Sequence, residues 1–439
     1  MPLGNPKLKG YVLGYDLGET VSQISFIELG ATDEKGNEQP RTLSVMTGAD
    51  VYDIPTVLAR RDEVNQWFFG REAVKRAAEE RAVLVDNLIE KAREGKPVKV
   101  GNIEYDPISL LSLFIKRSLS LLSMEVDVSN IRGIMFTTAA MDGVMVGVLR
   151  KVVRALSLSL KHIYFQSYSE SFFHYSLSQD KELRMHTSMA LDYHYGELKA
   201  YAMRFNNQAG INIATVDINR FSEMEFNIEG LPEDPKNREK ALYMLDEQFL
   251  YIVEGLIKDK MVSTVYLLGN GYKSGWMHHS LEFLCRNRKV FQGSNLFSKG
   301  AAYAASLRLQ GRINPEGYLL LDEEKLRYNV GLDIRERGKL HYLDMLEGGR
   351  NWFDIKKRVE VVLESGNSFD IQINPLMGED RRILSFSLNE LPVREERTTF
   401  LGIEMEMSSK SMLKVSVSDL GFGSYTVSSG FAKTVEYSL

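Results

Sequence analysis

Cysteine is almost absent from this chain: one residue, Cys285, among 439. A single thiol excludes an intramolecular disulfide and a cysteine-rich metal site. Cys285 closes the apolar stretch Leu281-Glu282-Phe283-Leu284-Cys285, which predicts a buried, inert thiol. Histidine is also sparse: the seven residues show no zinc-ligand spacing, and adjacent His278 and His279 would point different ways on a helix. Long apolar runs are missing, as is a signal-peptide core at the N-terminus, so neither membrane insertion nor export is expected. Positive charge is not in excess. A net charge of -5 and a pI of about 5.9 give no electrostatic case for nucleic acid. These absences predict a cytoplasmic protein with no membrane or nucleic-acid partner. The remaining composition, 44% hydrophobic and 26% charged, is that of a globular chain long enough for two or three domains.

Strand and helix patterns alternate through the first three hundred residues. Residues 11–60 read as strands broken by glycine and aspartate, with Ile54 to Ala59 as one more strand. A helical pattern runs from Arg71 to about Lys91. Asp106-Pro107 marks a helix start, and Leu110, Leu111, Phe114, Ile115 and Leu122 form its apolar face. A short apolar run at Gly133 to Thr137, a helix from Val144 to Leu156, a strand from His162 to Gln166 and a helix from about Ser169 follow. A second hairpin, Ser188 to Asp192 and Glu197 to Met203, turns at Tyr193-His194-Tyr195-Gly196. A helix from Arg238 to Lys258 leads to a strand, Thr264 to Leu268, that ends at Gly269-Asn270-Gly271. A last helix holds Gly300-Ala301-Ala302. This alternation predicts an α/β domain with a partly parallel sheet. After Pro315 short alternating runs take over, the pattern of a compact antiparallel β-domain.

Gly14-Tyr15-Asp16-Leu17-Gly18-Glu19-Thr20 joins the first two strands. Glycines there let the backbone approach a ligand, turn N–H groups can face an anion, and Asp16 can hold a hydrated divalent cation. An ordinary hairpin turn fits the same residues. With the second Asp-bearing hairpin and the Gly-x-Gly, the chain resembles the actin and sugar-kinase ATPase superfamily. Over nearly its whole length it looks most like the seventy-kilodalton heat-shock chaperones. Phe69 to Arg76 is similar to that family's Gly-x-x-Ala-Lys helix, and Leu319-Leu320-Leu321-Asp322 to its interdomain linker. Leu401 to Glu406 with Leu413 to Asp419 is similar to the last hairpin of its substrate domain. The resemblance implies an α/β actin-like ATPase domain of two lobes over 1–312, an apolar linker over 313–324 and an all-β sandwich over 325–439. It implies ATP or ADP with magnesium, held by Asp16, Gly18, Glu19 and Thr20 from the first loop and by Asp192 and Gly196 from the second. Gly269, Asn270 and Gly271 would hold the adenosine, and Asp16 and Asp192 the metal. It also implies a peptide or protein partner.

The departures from that family point away from turnover. Tyr193, His194 and Tyr195 stand where glycines would approach a phosphate. Ser167 replaces the family's helix glutamate, Asp86 its catalytic lysine, and Glu19 a threonine. The stretch between Met203 and Arg238 is short, so the subdomain over the adenosine is expected to be rudimentary. Losing positioning and charge stabilisation together lowers phosphoryl transfer more than binding. The expectation is a chaperone-like pseudo-ATPase with no catalytic residue. Two alternatives stay open: a working ATP-hydrolysing chaperone, and a scaffold that binds no nucleotide. Leu319 to Leu321 are too apolar for a solvated linker and are expected to be buried. Trp67, Phe68, Phe69 and Trp276 read as core.

Overall fold

The computed structural model describes residues 9–439, except 35, 37, 47, 62–64, 80–81, 158–159, 195–196, 209–210, 223–230, 274, 313, 315, 379 and 424. It divides into two units, Met1–Asn206 with Ala214–Tyr318, and Asn207–Ile213 with Leu319–Leu439.

The first unit repeats one topology. Strand β1 (Tyr11–Leu17) runs antiparallel to β2 (Val21–Glu28), and β3 (Arg41–Thr42) lies beyond β2. Strands β4 (Ile131–Thr138) and β5 (His162–Ser167) add in parallel on the side of β1, giving the order β5-β4-β1-β2-β3. Helix α1 (Pro107–Ser120) precedes β4, α2 (Gly143–Leu156) joins β4 to β5, and α3 (Tyr168–Ser178) follows β5. The second half does the same. Strands β6 (Thr187–His194), β7 (Glu197–Gln208) and β8 (Ile211–Phe221) come first, and β9 (Val262–Leu268) and β10 (Lys289–Gln292) add in parallel beside β6, in the order β10-β9-β6-β7-β8. Helix α4 (Pro235–Ile257) precedes β9, and α5 (Leu296–Leu309) follows β10. The registers match as well. Asp16 pairs with Gln23 across its hairpin and with Thr137 of β4; Asp192 pairs with Lys199 and with Leu268 of β9. The two aspartates therefore hold equivalent positions in the repeat.

Local chemistry explains the helix boundaries. Asp106 accepts from Ser109 N ahead of Pro107, and Asp234 from Asn237 N ahead of Pro235, so α4 starts three residues before the expected Arg238. Ser167 and Glu170 cap α3 reciprocally. Asp142 caps α2 and receives Arg93 in a bidentate pair at 2.7 and 3.0 Å. The helix expected from Arg71 to Lys91 is two helices, Gly70–Ala78 and Leu88–Glu94, separated by the strand Val83–Val85. Leu245, Phe249 and Val253 of α4 pack with Leu191, Val265 and Trp276 in one core. Each such side chain contributes about 1.5–3 kcal/mol by burial. Trp67 meets Tyr105 edge-on at 5.2 Å, and Phe68 is buried beside Ala59 and Ala73, so this aromatic cluster is packing. Cys285 corrects the sequence reading: it lies in the last turn of helix His279–Cys285 on an exposed face, while Leu284 takes the core position. Pro107–Met124 also departs from expectation. At a mean hydropathy of 1.2 it is long and apolar enough to cross a membrane, yet its Leu110, Leu111, Phe114 and Ile115 are buried in the unit.

The second unit is a β-sandwich. Strands β12 (Tyr328–Glu336), β13 (Lys339–Leu346), β15 (Ser368–Pro375) and β16 (Arg382–Ser387) form one antiparallel sheet in the order β13-β12-β15-β16. Strands β14 (Lys356–Leu363), β17 (Thr399–Ser409), β18 (Met412–Asp419) and β19 (Ala432–Ser438) form the other in chain order. Alternate residues from both fill the core, among them Val330, Ile371, Phe386, Ile403 and Val415. Trp352 packs against this core and donates Nε1 to Glu324 at 3.1 Å. Strand β11 (Leu319–Leu321) pairs with β8, whose first residues belong to this unit, and Leu320 and Leu321 are buried. Asp419 ties two loops together, accepting both Arg394 nitrogens at 2.7 and 2.9 Å and the Ser429 and Gly421 amides. Burial alone would raise its pKa, but these donors outweigh burial and hold it well below the usual carboxylate range.

Within the first unit, α3 and α5 cross at Gly300, where a Cβ would run into the Ser171 carbonyl. Gly300→Val is therefore expected to cost at least about 1–3 kcal/mol through overpacking. Chemical denaturation followed by circular dichroism checks this; an unchanged midpoint would contradict the close crossing.

Candidate functional site

The equivalent hairpins of the first unit open into one cavity of about 420 Å³. Asp16, Gly18, Glu19 and Thr20 reach it from β1–β2, Asp192 from β6, and Gly269 and Asn270 from the turn after β9. The structure thus brings together seven of the residues singled out in the sequence. Gly271 lies outside the lining. The Tyr193 ring occupies the space a Cβ there would need, and the Trp276 indole donates to the Gly271 carbonyl at 2.8 Å. Gly196 falls outside the described residues. Ser167 serves as the α3 cap, and Asp86 pairs with Lys91 at 3.1 Å; neither lines the cavity.

Both aspartates are buried and both have partners. Asp16 is 6% exposed, and its Oδ1 accepts from the Tyr168 hydroxyl at 2.6 Å. Burial, with the nearby Asp192 and Asp53 charges, pushes the Asp16 carboxyl up to about 7, against the opposing effects of Tyr168 and His194. Burial and the Asp16 charge hold Tyr168 well above the usual phenol value, so it remains a donor. Its ring stacks on Phe297 at 3.9 Å. Asp192 Oδ1 lies 3.1 Å from His194 Nε2. Burial disfavours the imidazolium, but the Asp192 hydrogen bond and the charges of Asp192, Asp16 and Asp53 together raise the His194 pKa.

Sequence reasoning missed Tyr168, Gln23, Asp50 and Asp53 as lining residues, and it read His194 as crowding the second loop without seeing it as the partner of Asp192. The signal for His194 existed. Alternate strand residues share a face, so a strand continuing past Asp192 carries His194 with it. Reading a turn at Tyr193 hid this: β6 continues to His194, and Tyr193, fully buried, belongs to the aromatic core with Phe249, Tyr272 and Trp276. Tyr193 therefore packs beneath the site and does not crowd its mouth. Tyr168 is brought in by the α3 start, which Ser167-x-x-Glu170 announces, but no local pattern says that its hydroxyl reaches Asp16.

Asp16, Glu19, Asp50, Asp53, Asp192 and Glu197 line the cavity against Arg71, Lys199, Lys273 and His194. Among the described residues no group of three or more His, Cys, Asp or Glu side chains is arranged to hold a metal ion.

A carboxyl raised to about 7 in the folded state keeps a proton that the unfolded chain, at the ordinary value of 3.8, has released. Stability should therefore fall as pH rises from about 4 to about 7, then level off. The raised His194 acts in the same direction, its contribution present below its ordinary value of 6.5 and lost as pH passes its folded value. Asp16→Asn keeps an acceptor for Tyr168 and removes the Asp16 part. Melting temperatures across this range should fall less steeply in the variant, which should be the more stable protein at pH 8; parallel curves would contradict the assignment.

Two family models match the chain. Residues 39–323 match the C-terminal part of a family of unknown function, DUF5716, and residues 325–439 match a domain of unknown function, DUF8552. The division between them falls close to that between the two units. The first match begins after the Asp16 hairpin and contains Asp192 and the Gly-x-Gly. No curated protein matches the chain. With well over half of its length covered by the first model, the chain belongs to the DUF5716 family.

Proposed function

We propose that the first unit is an actin-like ATPase fold that no longer handles phosphates, and that the protein is a non-hydrolysing, chaperone-like binding protein of the cytoplasm. Its partner is a peptide or protein, taken up by the β-sandwich unit. The duplicated topology, with an aspartate at the same register in each half, supports the fold assignment. One observation carries the loss of nucleotide chemistry: Tyr168 caps Asp16 and His194 caps Asp192, so both carboxylates are engaged by the protein's own side chains. A magnesium triphosphate does not fit this donor set. The metal would compete with both partners, the Gly271 turn is backed by Tyr193, and the six carboxylates of the wall would repel the phosphates.

Phosphate release by the purified chain with ATP and magnesium should stay at the background rate, and Asp16→Ala should not change it. Turnover that Asp16→Ala abolishes would make the protein a working ATPase and overturn this reading.

A further inference from the structure

A second cavity of the first unit, about 220 Å³, lies where α3, β9, β10 and the start of α5 meet. It shares only Leu268 with the cavity of Asp16 and Asp192. Its wall is aromatic on three elements. Tyr175 of α3 meets Tyr266 of β9 edge-on at 5.6 Å, and Tyr266 stacks with Phe291 of β10 at 5.6 Å. Among the described residues no acid lines this cavity, and Lys299 is its one charged group.

Lys299 is placed against its own charge. It sits in the first turn of α5, where the helix dipole disfavours a cation. Half-burial beside the aromatic rings pushes its pKa below the usual lysine value. Its amine has no ion pair or hydrogen bond among the described residues, and it stays open to the cavity. The hydroxyls of Tyr175 and Tyr266 are likewise unpartnered there and open. The three amides of the wall already donate to the protein: Gln179 to Ser178 at 3.0 Å, Gln292 to the Tyr272 carbonyl at 3.4 Å and Asn295 to Thr42 at 2.9 Å. The donors left over are one ammonium and two phenols beside aromatic surface.

We infer that this cavity binds a small aromatic carboxylate, its ring against the aromatic wall and its charge at Lys299. A carboxylate supplies the counter-charge that the wall lacks and accepts from the ammonium and the phenols. The size fits one ring: a cavity of about 150 Å³ holds benzene, and the additional space here takes the carboxylate. A long acyl chain does not fit.

Isothermal titration of the full chain at neutral pH with benzoate, benzyl alcohol and inorganic phosphate tests this. Benzoate should bind at one site per chain and more tightly than benzyl alcohol. Lys299→Met keeps the length of the side chain and removes its charge; it should weaken benzoate about tenfold and leave benzyl alcohol unchanged. Phe291→Ala, on an exposed position of the edge strand, should weaken both and stays informative if Lys299→Met fails to fold. Glu347→Gln, in the other unit, should change neither. Benzoate binding that ignores Lys299→Met or Phe291→Ala overturns the inference, as does an equal loss of both ring probes in Lys299→Met. Phosphate bound in place of benzoate, or no binding of any probe, also overturns it.

Discussion

Burying two carboxylates at equivalent ends of a duplicated fold sets the terms for everything around them. A carboxylate taken out of water must find donors, find a counter-charge or hold a proton. Asp16 takes the first and third routes, with the Tyr168 hydroxyl on Oδ1 and a pKa raised to about 7. Asp192 takes the second, with His194 beside it. These solutions need particular neighbours. Tyr168 reaches Asp16 because α3 starts where β5 ends, and Phe297 of α5 stacks on its ring to hold it there. His194 reaches Asp192 because β6 runs two residues past Asp192.

The same duplication distributes core and site. In the second half the aromatic cluster of Tyr193, Phe249, Tyr272 and Trp276 packs under the Gly-x-Gly turn and fixes it from below. The Trp276 bond to the Gly271 carbonyl and the Tyr193 ring at Gly271 make that turn a packed element. The face that remains open is acidic. Six acidic side chains line it against four basic ones.

Much of this organisation is legible in the sequence. The hairpins, the Asp-Pro helix start at Asp106 and the change of texture after Pro315 all rest on short-range rules: turn residues, caps and periodicity. It was the resemblance to the actin-like superfamily, and not those rules, that grouped Asp16, Asp192, Gly269 and Asn270 in one site, and all four line the same cavity. What stayed hidden is long-range. Tyr168 acts on a residue 152 positions away, and Asp53 meets Gln23 across a loop with no recognisable signature. The break between Gly70–Ala78 and Leu88–Glu94 shows sheet pairing overriding helical propensity, since Val83–Val85 is claimed by the strand Leu58–Arg61. Cys285 went astray for a simpler reason: a mostly apolar stretch, Leu281 to Cys285, does not say which of its residues faces inward.

The central claim is that Asp16 and Asp192 share one buried site and that the Asp192 charge helps to raise the Asp16 pKa. A carbon-13 carboxyl titration of Asp16, in the native chain and in Asp192→Asn, measures this directly. An Asp16 midpoint near 7 that moves down when the Asp192 charge is removed is the result expected from their geometry. A midpoint at the ordinary aspartate value, indifferent to Asp192, would show two independent carboxylates and contradict it.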